Sequence, residues 1–518
     1  AQVSLGSPVT VGTVTLDAPF AYTLAGSALT FGDLATAGAL DVLQGSHALR
    51  TQLVAPTNLT ASVAPGATVL VGGGVTGAGR LIATGGGTLA VTNGPAVDVP
   101  LTLDGAVLAV PASTMLDTAL TVGADGATVL PSYGQTLTFS GAVDGPGALT
   151  KSGASIAVMS GANGGTGSRI VRNGTLTLSS LTDGGDLVIG EGTLKYVGPD
   201  VATPKGFLIQ TSDAKLGAAF ESDADVTFNG NVTTASGVFQ KYGKGTLTFA
   251  ASGVNTIGAG LGSDNYSVVL NRGAYGESPT QGLRIFMVLN GKVVLGVPGQ
   301  TNIMSNTIVV GGRTTTTGTE TAGNLEINDG FFQCGIITIS RGNGTATTAP
   351  TGLVSTVRLN GGVVQSAGLY MGLLLGDMAA GSCNARPLFE MNGGVLTGGQ
   401  LWLGNAATPV RPRLVFNGGF AAFTGGSSSD LRLAYDGGVT SETVIAGATV
   451  ACSNALIRIA DASAAAKAVL RLNGGNLITR GFERLGSGVG ELYFNGGRLT
   501  PCQSFALTNL TASVVQAG

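Results

Sequence analysis

Apolar and polar residues alternate along this chain in short runs. Leu176-Thr177-Leu178, Val226-Thr227-Phe228 and Leu431-Arg432-Leu433 are typical, and such runs stop at Asn-Gly, Asp-Gly or Gly-Gly. A period of two over so few residues predicts strands with one buried face, bounded by tight turns. Helical spacing is nearly missing. The best helix candidate is Asp461-Ala462-Ser463-Ala464-Ala465-Ala466-Lys467-Ala468, about two turns between strand-like runs. The pattern predicts an all-β protein.

The second half decides how the strands are arranged, because it repeats. An alternating run followed by Asn-Gly-Gly recurs with its asparagine at Asn360, Asn392, Asn417, Asn473 and Asn495. Asn328-Asp329-Gly330 is a variant, and Ala446-Gly447 stands where a degenerate copy belongs. After each turn comes a second alternating run, such as Ile336-Ile337-Thr338-Ile339, Leu369-Tyr370-Met371 and Leu401-Trp402-Leu403. A unit of two or three short strands cannot bury its apolar face alone, so successive coils must stack in parallel register. Separate Asn-Gly hairpins would not need the same two-strand unit at each step. The expected fold is a β-solenoid, with asparagines at equivalent turns placed to hydrogen-bond up a ladder. At about 20–28 residues per coil the chain makes roughly 18–24 coils, each rising about 4.8 Å.

The first half repeats differently. Gly145-Pro146-Gly147-Ala148-Leu149-Thr150-Lys151 leads through Ile156-Ala157-Val158 to Ser160-Gly161-Ala162-Asn163 and ends at Asn173-Gly174-Thr175-Leu176. Gln240-Lys241-Tyr242-Gly243-Lys244-Gly245-Thr246-Leu247 leads likewise to Ser252-Gly253-Val254-Asn255. These residues resemble the autotransporter-associated β-strand repeat, also called the passenger-associated transport repeat, best at 145–178 and 237–274 and more loosely at 72–93. The resemblance implies a right-handed parallel β-helix, exported to the surface of a Gram-negative-type bacterium. It departs from that family in lacking a run that reads as a membrane barrel. Two regions are expected, 1–285 with these repeats and 286–518 with the Asn-Gly-Gly coils, continuous with each other.

Composition narrows the function. Glycine supplies 86 of 518 residues, charged residues only 11%, and the net charge is −3 with basic residues scattered singly, which gives nucleic-acid binding no support. Eighteen prolines and no three-residue glycine period exclude collagen. No apolar run is long enough for a spanning helix. A single histidine, His47, leaves the commonest general base and metal ligand nearly absent. The chain opens Ala1-Gln2 rather than with Met, as removal of a signal peptide would leave it.

Candidate chemistry is sparse. Gly486-Ser487-Gly488-Val489-Gly490 precedes a strand, and Gly243-Lys244 is followed by glycine, so neither is a nucleotide loop. Asp223 and Asp225, with Glu221 beside them, and the pair Asp183/Asp186 are the closest carboxylates. Asp223 and Asp225 could share a strand face as an acid/base pair or a calcium site, or simply cap a turn, the reading favoured by the absence of a basic cluster. No cofactor or metal is expected. Tyr370 and Trp402 occupy the same place in consecutive coils; facing out they would form a flat aromatic platform for a sugar ring or a protein, and otherwise they shield the sheet. Cys334, Cys383, Cys452 and Cys502 are expected to serve structure, with their pairing open.

Both ends of the chain read as ordinary strands, with Val3, Leu5, Val9 and Val11 at the start and Leu510, Ala512 and Val514 at the close. Uncapped coils present unpaired backbone, so the ends are expected to meet head to tail and propagate. The leading expectation is therefore a non-enzymatic extracellular structural protein, stacking on itself into a surface fibre or matrix. The alternative is a monomeric adhesin or binder of surface polysaccharide, touching its partner through residues 342–351, 376–386 and 405–411. A β-helix polysaccharide-degrading enzyme is the third.

Overall fold

The computed structural model describes residues 1–92, 97–212, 217–257, 286–288, 291–304, 307–312, 322–341, 354–373, 386–405, 410–424, 431–435, 438–454, 456–460, 464–507 and 510–515. No helix occurs among them, and strand pairing is parallel apart from an isolated bridge between Thr84 and Gly105. The fold is a parallel β-solenoid. It divides into two compact units, Ala1–Val201 with Ala219–Glu221, and Ala202–Ala218 with Ser222–Gly518. The expected change of repeat type at 285/286 adjoins residues 258–285, which lie outside the described set.

In the first unit three strands make one coil. Val9–Val11, Leu29–Phe31, Leu53–Val54 and Val75–Thr76 stack on one side, while Thr13–Asp17 through Val143–Asp144 form a seven-stranded sheet on another. Register carries each position to its counterpart one coil on, as in Leu149↔Arg169 and Arg169↔Leu187. Alternate residues point inward, so Leu29, Phe31, Leu40, Val42, Leu59 and Val63 are almost wholly buried. Stacking identical rungs is what buries the apolar stripe that a single coil would leave open.

In the second unit the Asn-Gly-Gly turn joins two sides of the coil. It follows strands such as Thr356–Leu359, Leu388–Met391 and Arg413–Phe416 and precedes Val363–Leu373, Val395–Asn405 and Phe420–Phe423. The turns stack on one another. Asn360 Nδ2 donates to Asn328 Oδ1 at 2.8 Å, Asn392 to Asn360 at 2.8 Å, Asn417 to Asn392 at 2.9 Å and Asn495 to Asn473 at 2.8 Å. Ala446 occupies the gap: its N–H donates to Phe416 O as Asn417 donates to Met391 O and Asn473 to Ile445 O. The helix expected at 461–468 is not formed in its described part. Ala464 and Ala465 make a turn, and Lys467–Leu472 is a strand paired to Thr440–Ile445. Stacking on both sides of that strand outweighs the helix propensity of a short alanine run.

A second column of sharp turns needs no glycine at every level. Gly311, Ser340, Gly404, Ala434 and Ala460 close equivalent strand ends with φ of 65°, 54°, 73°, 58° and 54°. A left-handed backbone costs a non-glycine residue about 1–2 kcal/mol, and only small side chains occupy the position.

The lysines of the first-half repeats are buried. Lys151 is fully covered, and its Nζ donates to Ser152 O and Gly153 O at 2.7 Å and to Asn173 O at 3.3 Å. Lys241, equally covered, donates to Ser222 O and Gly243 O at 3.2 Å and to Tyr242 O. The two copies turn different corners, since Lys151 ends Leu149–Lys151 before Ile156–Met159 whereas Lys241 lies in Val238–Tyr242 before Thr246–Phe249, a strand of the other sheet. The repeat therefore encodes a corner, with its lysine collecting turn carbonyls, two of which, Gly153 O and Ser222 O, also accept a backbone N–H from Ser155 and Gly245. Burial pulls the Lys151 ammonium down to about 8.

One outer column, Glu326, Arg358 and Glu390, alternates in charge from rung to rung. Glu326 lies in register with Arg358 and Arg358 with Glu390. Arg358 Nη2 meets Glu390 at 2.7 Å, Lys292 meets Glu326 at 2.7 Å, and Glu442 meets Arg413 at 2.9 Å and Arg471 at 3.1 Å. In a parallel in-register stack like charges would fall on top of one another, so alternation of sign by rung removes a repulsion as well as adding attraction.

Candidate functional site

Three rungs stand out because two sides of the coil run together there as eleven-residue strands, Phe331–Arg341, Val363–Leu373 and Val395–Asn405. They carry Thr338, Tyr370 and Trp402 in one register column, and Trp402 pairs onward with Arg432. Leu369, Met371, Leu401 and Leu403 point inward and are buried, which leaves Tyr370 and Trp402 on the outside, half-buried. Three rings stack in this column. Trp402 stacks on Tyr370 at 5.0 Å and 25° and on Tyr435 at 5.6 Å and 24°. Arg432 Cζ sits 5.1 Å from the Trp402 ring and 4.4 Å from that of Tyr435. Tyr370 Oη donates to Gln400 Oε1, and burial pushes its phenol up.

This geometry changes what the aromatics can offer. Both faces of Trp402 are covered by neighbouring rings, so a sugar stacked flat on it would have to displace one of them. The stack presents ring edges, the tyrosine hydroxyls and one guanidinium. Tyr435 had no signal in the alternation, because it follows left-handed Ala434 and returns to the column from beyond the strand.

Beside the stack, on the same strands, lies a groove of about 270 Å³ lined by Gln333, Cys334, Gln365, Ser366, Ala367, Thr397, Gly398, Gly399 and Thr424. Gln333, Gln365 and Thr397 stand in register on successive rungs. The two glutamines are exposed. Ser366 is buried and satisfied: its Oγ donates to Gly368 O at 2.7 Å, with Gly335 O also in reach at 3.1 Å, and accepts the N–H of Gly368 at 3.2 Å. The floor is backbone because Gly399 admits no side chain, its Cβ position lying 2.7 Å from Ala367 O.

The other sequence candidates separate. Asp223 Oδ1 accepts the N–H of Lys244 at 2.9 Å and Asp225 Oδ1 that of Thr246 at 2.6 Å, so the carboxylates cap the next rung's turn. Glu221 pairs with Lys195 at 2.6 Å. No cluster of three or more His, Cys, Asp or Glu able to hold a metal occurs among the described residues. Cys334 and Cys452 are buried and free, and Cys502 is exposed and free; burial pushes the Cys334 thiol up to about 12 and Cys452 higher still. Cys383 lies outside the described residues, as do nearly all of 342–351, 376–386 and 405–411. In the end strands Val3 and Val514 are 46% and 37% exposed, Leu5, Val9, Val11, Leu510 and Ala512 are half-buried, and Gln2–Leu5 pairs with Thr23–Gly26 and Ala512–Val515 with Val489–Phe494.

Comparison with known proteins gives one relative. Over 374 residues the chain is 27% identical to Adhesin BmaC autotransporter of Brucella suis biovar 1 (strain 1330), covering 67% of this chain and 10% of that protein. The chain thus spans about a tenth of the length of the curated relative it matches. No family model matches, and no solved structure matches. The similarity fits an autotransporter-type surface protein and leaves the particular repeat family unassigned.

Proposed function

We propose that this chain is a segment of an exported, surface-displayed adhesin, with the outer face of the 331–435 rungs as its contact surface. The similarity to an adhesin autotransporter carries the reading. A parallel solenoid supports it physically, since a stack of rungs extends a contact surface without enlarging the core. We also take the chain to be non-enzymatic: Asp223 and Asp225 are engaged in backbone caps and Glu221 in an ion pair. Among the described residues no helix is long and apolar enough to cross a membrane. The test is attachment of beads coated with the purified chain to epithelial monolayers, in competition with soluble chain. Saturable, competed attachment is expected, and attachment no greater than that of albumin-coated beads refutes the proposal.

A head-to-tail fibre is the second reading, since parallel in-register rungs such as Phe331–Arg341, Val363–Leu373 and Val395–Asn405 can propagate by adding further rungs. Electron microscopy of purified chain tests it. Filaments that lengthen with concentration are its expected outcome, and separate particles at every concentration exclude it.

A further inference from the structure

We infer that the groove of Gln333, Gln365 and Thr397 binds an uncharged glycan running across the rungs; this rests on the adhesin reading and names its ligand class. Every lining side chain is neutral, with amides and hydroxyls on the walls and a floor at Ala367 and Gly399 that lets a ligand lie against backbone. Such a lining has nothing to neutralise an anion or cation and too little apolar area to hold a lipid or a hydrophobic peptide anchor. Strand addition is closed as well, because Val363–Leu373 is already paired on both sides. What remains is a ligand with many hydroxyls and no charge. The column repeats Gln333, Gln365 and Thr397 at the rung spacing of about 4.8 Å, close to the length of a pyranose ring. Each successive sugar would therefore meet an equivalent donor and acceptor. Among the described residues the Gln333 and Gln365 amides make no hydrogen bond within the protein, which leaves both groups of each amide for hydroxyls. Gln400, which accepts from Tyr370 Oη, follows Gly399 of the groove floor directly in the chain.

The experiment is binding of the whole chain to an array holding neutral, uronic and sialylated glycans, with three variants beside it. Gln333→Ala with Gln365→Ala removes the amides, Ala367→Phe fills the floor, and Glu483→Gln leaves the groove alone. Selective binding to neutral glycans is expected, weakened about tenfold or more by the first two variants and unchanged in the third. Circular dichroism and Trp402 fluorescence confirm that each variant is folded. No neutral-glycan binding, or binding that survives both groove variants, overturns the inference. Bead attachment to cells is scored separately. Attachment that persists after periodate oxidation of cell-surface glycans keeps the adhesin reading and overturns this one.

Discussion

Ala446→Asn should stabilise the second unit by joining two pieces of the asparagine ladder. The backbone at Ala446 already makes the ladder's hydrogen bond, N–H to Phe416 O at 2.8 Å, against 2.7 Å at Asn417 and 2.8 Å at Asn473. The amide introduced there would donate to Asn417 Oδ1, and its oxygen would accept from Asn473 Nδ2, in the geometry of the existing steps at 2.8 and 2.9 Å. A net hydrogen bond is worth about 0.5–1.5 kcal/mol. Two at an exposed turn, less the ordering of one side chain, give about 1 kcal/mol, or roughly fivefold in a local opening equilibrium. Hydrogen-exchange mass spectrometry reads this directly, because solenoid stability is close to a sum over neighbouring rungs. Peptides from Thr440–Ile445 and Thr449–Cys452 should exchange about fivefold more slowly, while those of the first unit stay unchanged. Ala446→Asp is the control. It has a similar turn preference and can accept from Asn473, but it has no donor for Asn417. Equal protection in the Asn and Asp variants would refute the ladder argument and leave turn propensity as the cause.

Four further outcomes follow from the packing. Lys151→Met removes the ammonium donor from the carbonyls of Ser152, Gly153 and Asn173, of which Gly153 keeps the N–H of Ser155, at about 1–3 kcal/mol per group left unsatisfied, and should lower the unfolding midpoint of the first unit. The lysine's proton affinity also sets a pH dependence: folding lowers it from 10.5 to about 8, so between those values the unfolded chain holds more protons. Wild-type stability relative to Lys151→Met should therefore rise with pH across that window, and a fall in denaturation midpoints there contradicts the burial argument. Trp402 is the chain's single tryptophan, so its fluorescence reports on the stack. Tyr435→Ala should shift the emission to the red, whereas Arg80→Ala in the first unit should not. Arg358→Glu places three acids in register with Glu326 and Glu390 and should destabilise by about 1 kcal/mol, part of it recovered in high salt as screening grows.

The sequence alone settled the period-two strands, the repeating turns and hence a parallel stack, because those follow from local chemistry. Asparagine and glycine at the turns and apolar residues at every second position admit few other arrangements. The ladder through Asn328, Asn360, Asn392 and Asn417 was legible for the same reason. Tertiary structure decided the rest. Trp402 reads identically whether its faces are open or covered, and only the return of Tyr435 past Ala434 covered the second one. The groove was invisible because Gln333, Gln365 and Thr397 are unremarkable singly and become a site only when stacking brings them into one column. The alanine-rich run at 461–468 reads as helical in isolation, but Lys467–Leu472 has a ready-made strand on either side. The local pattern fixes which face of a strand is wet. What stands on that face is set by residues one coil away, some 20 to 30 positions along the chain, beyond the reach of any local preference.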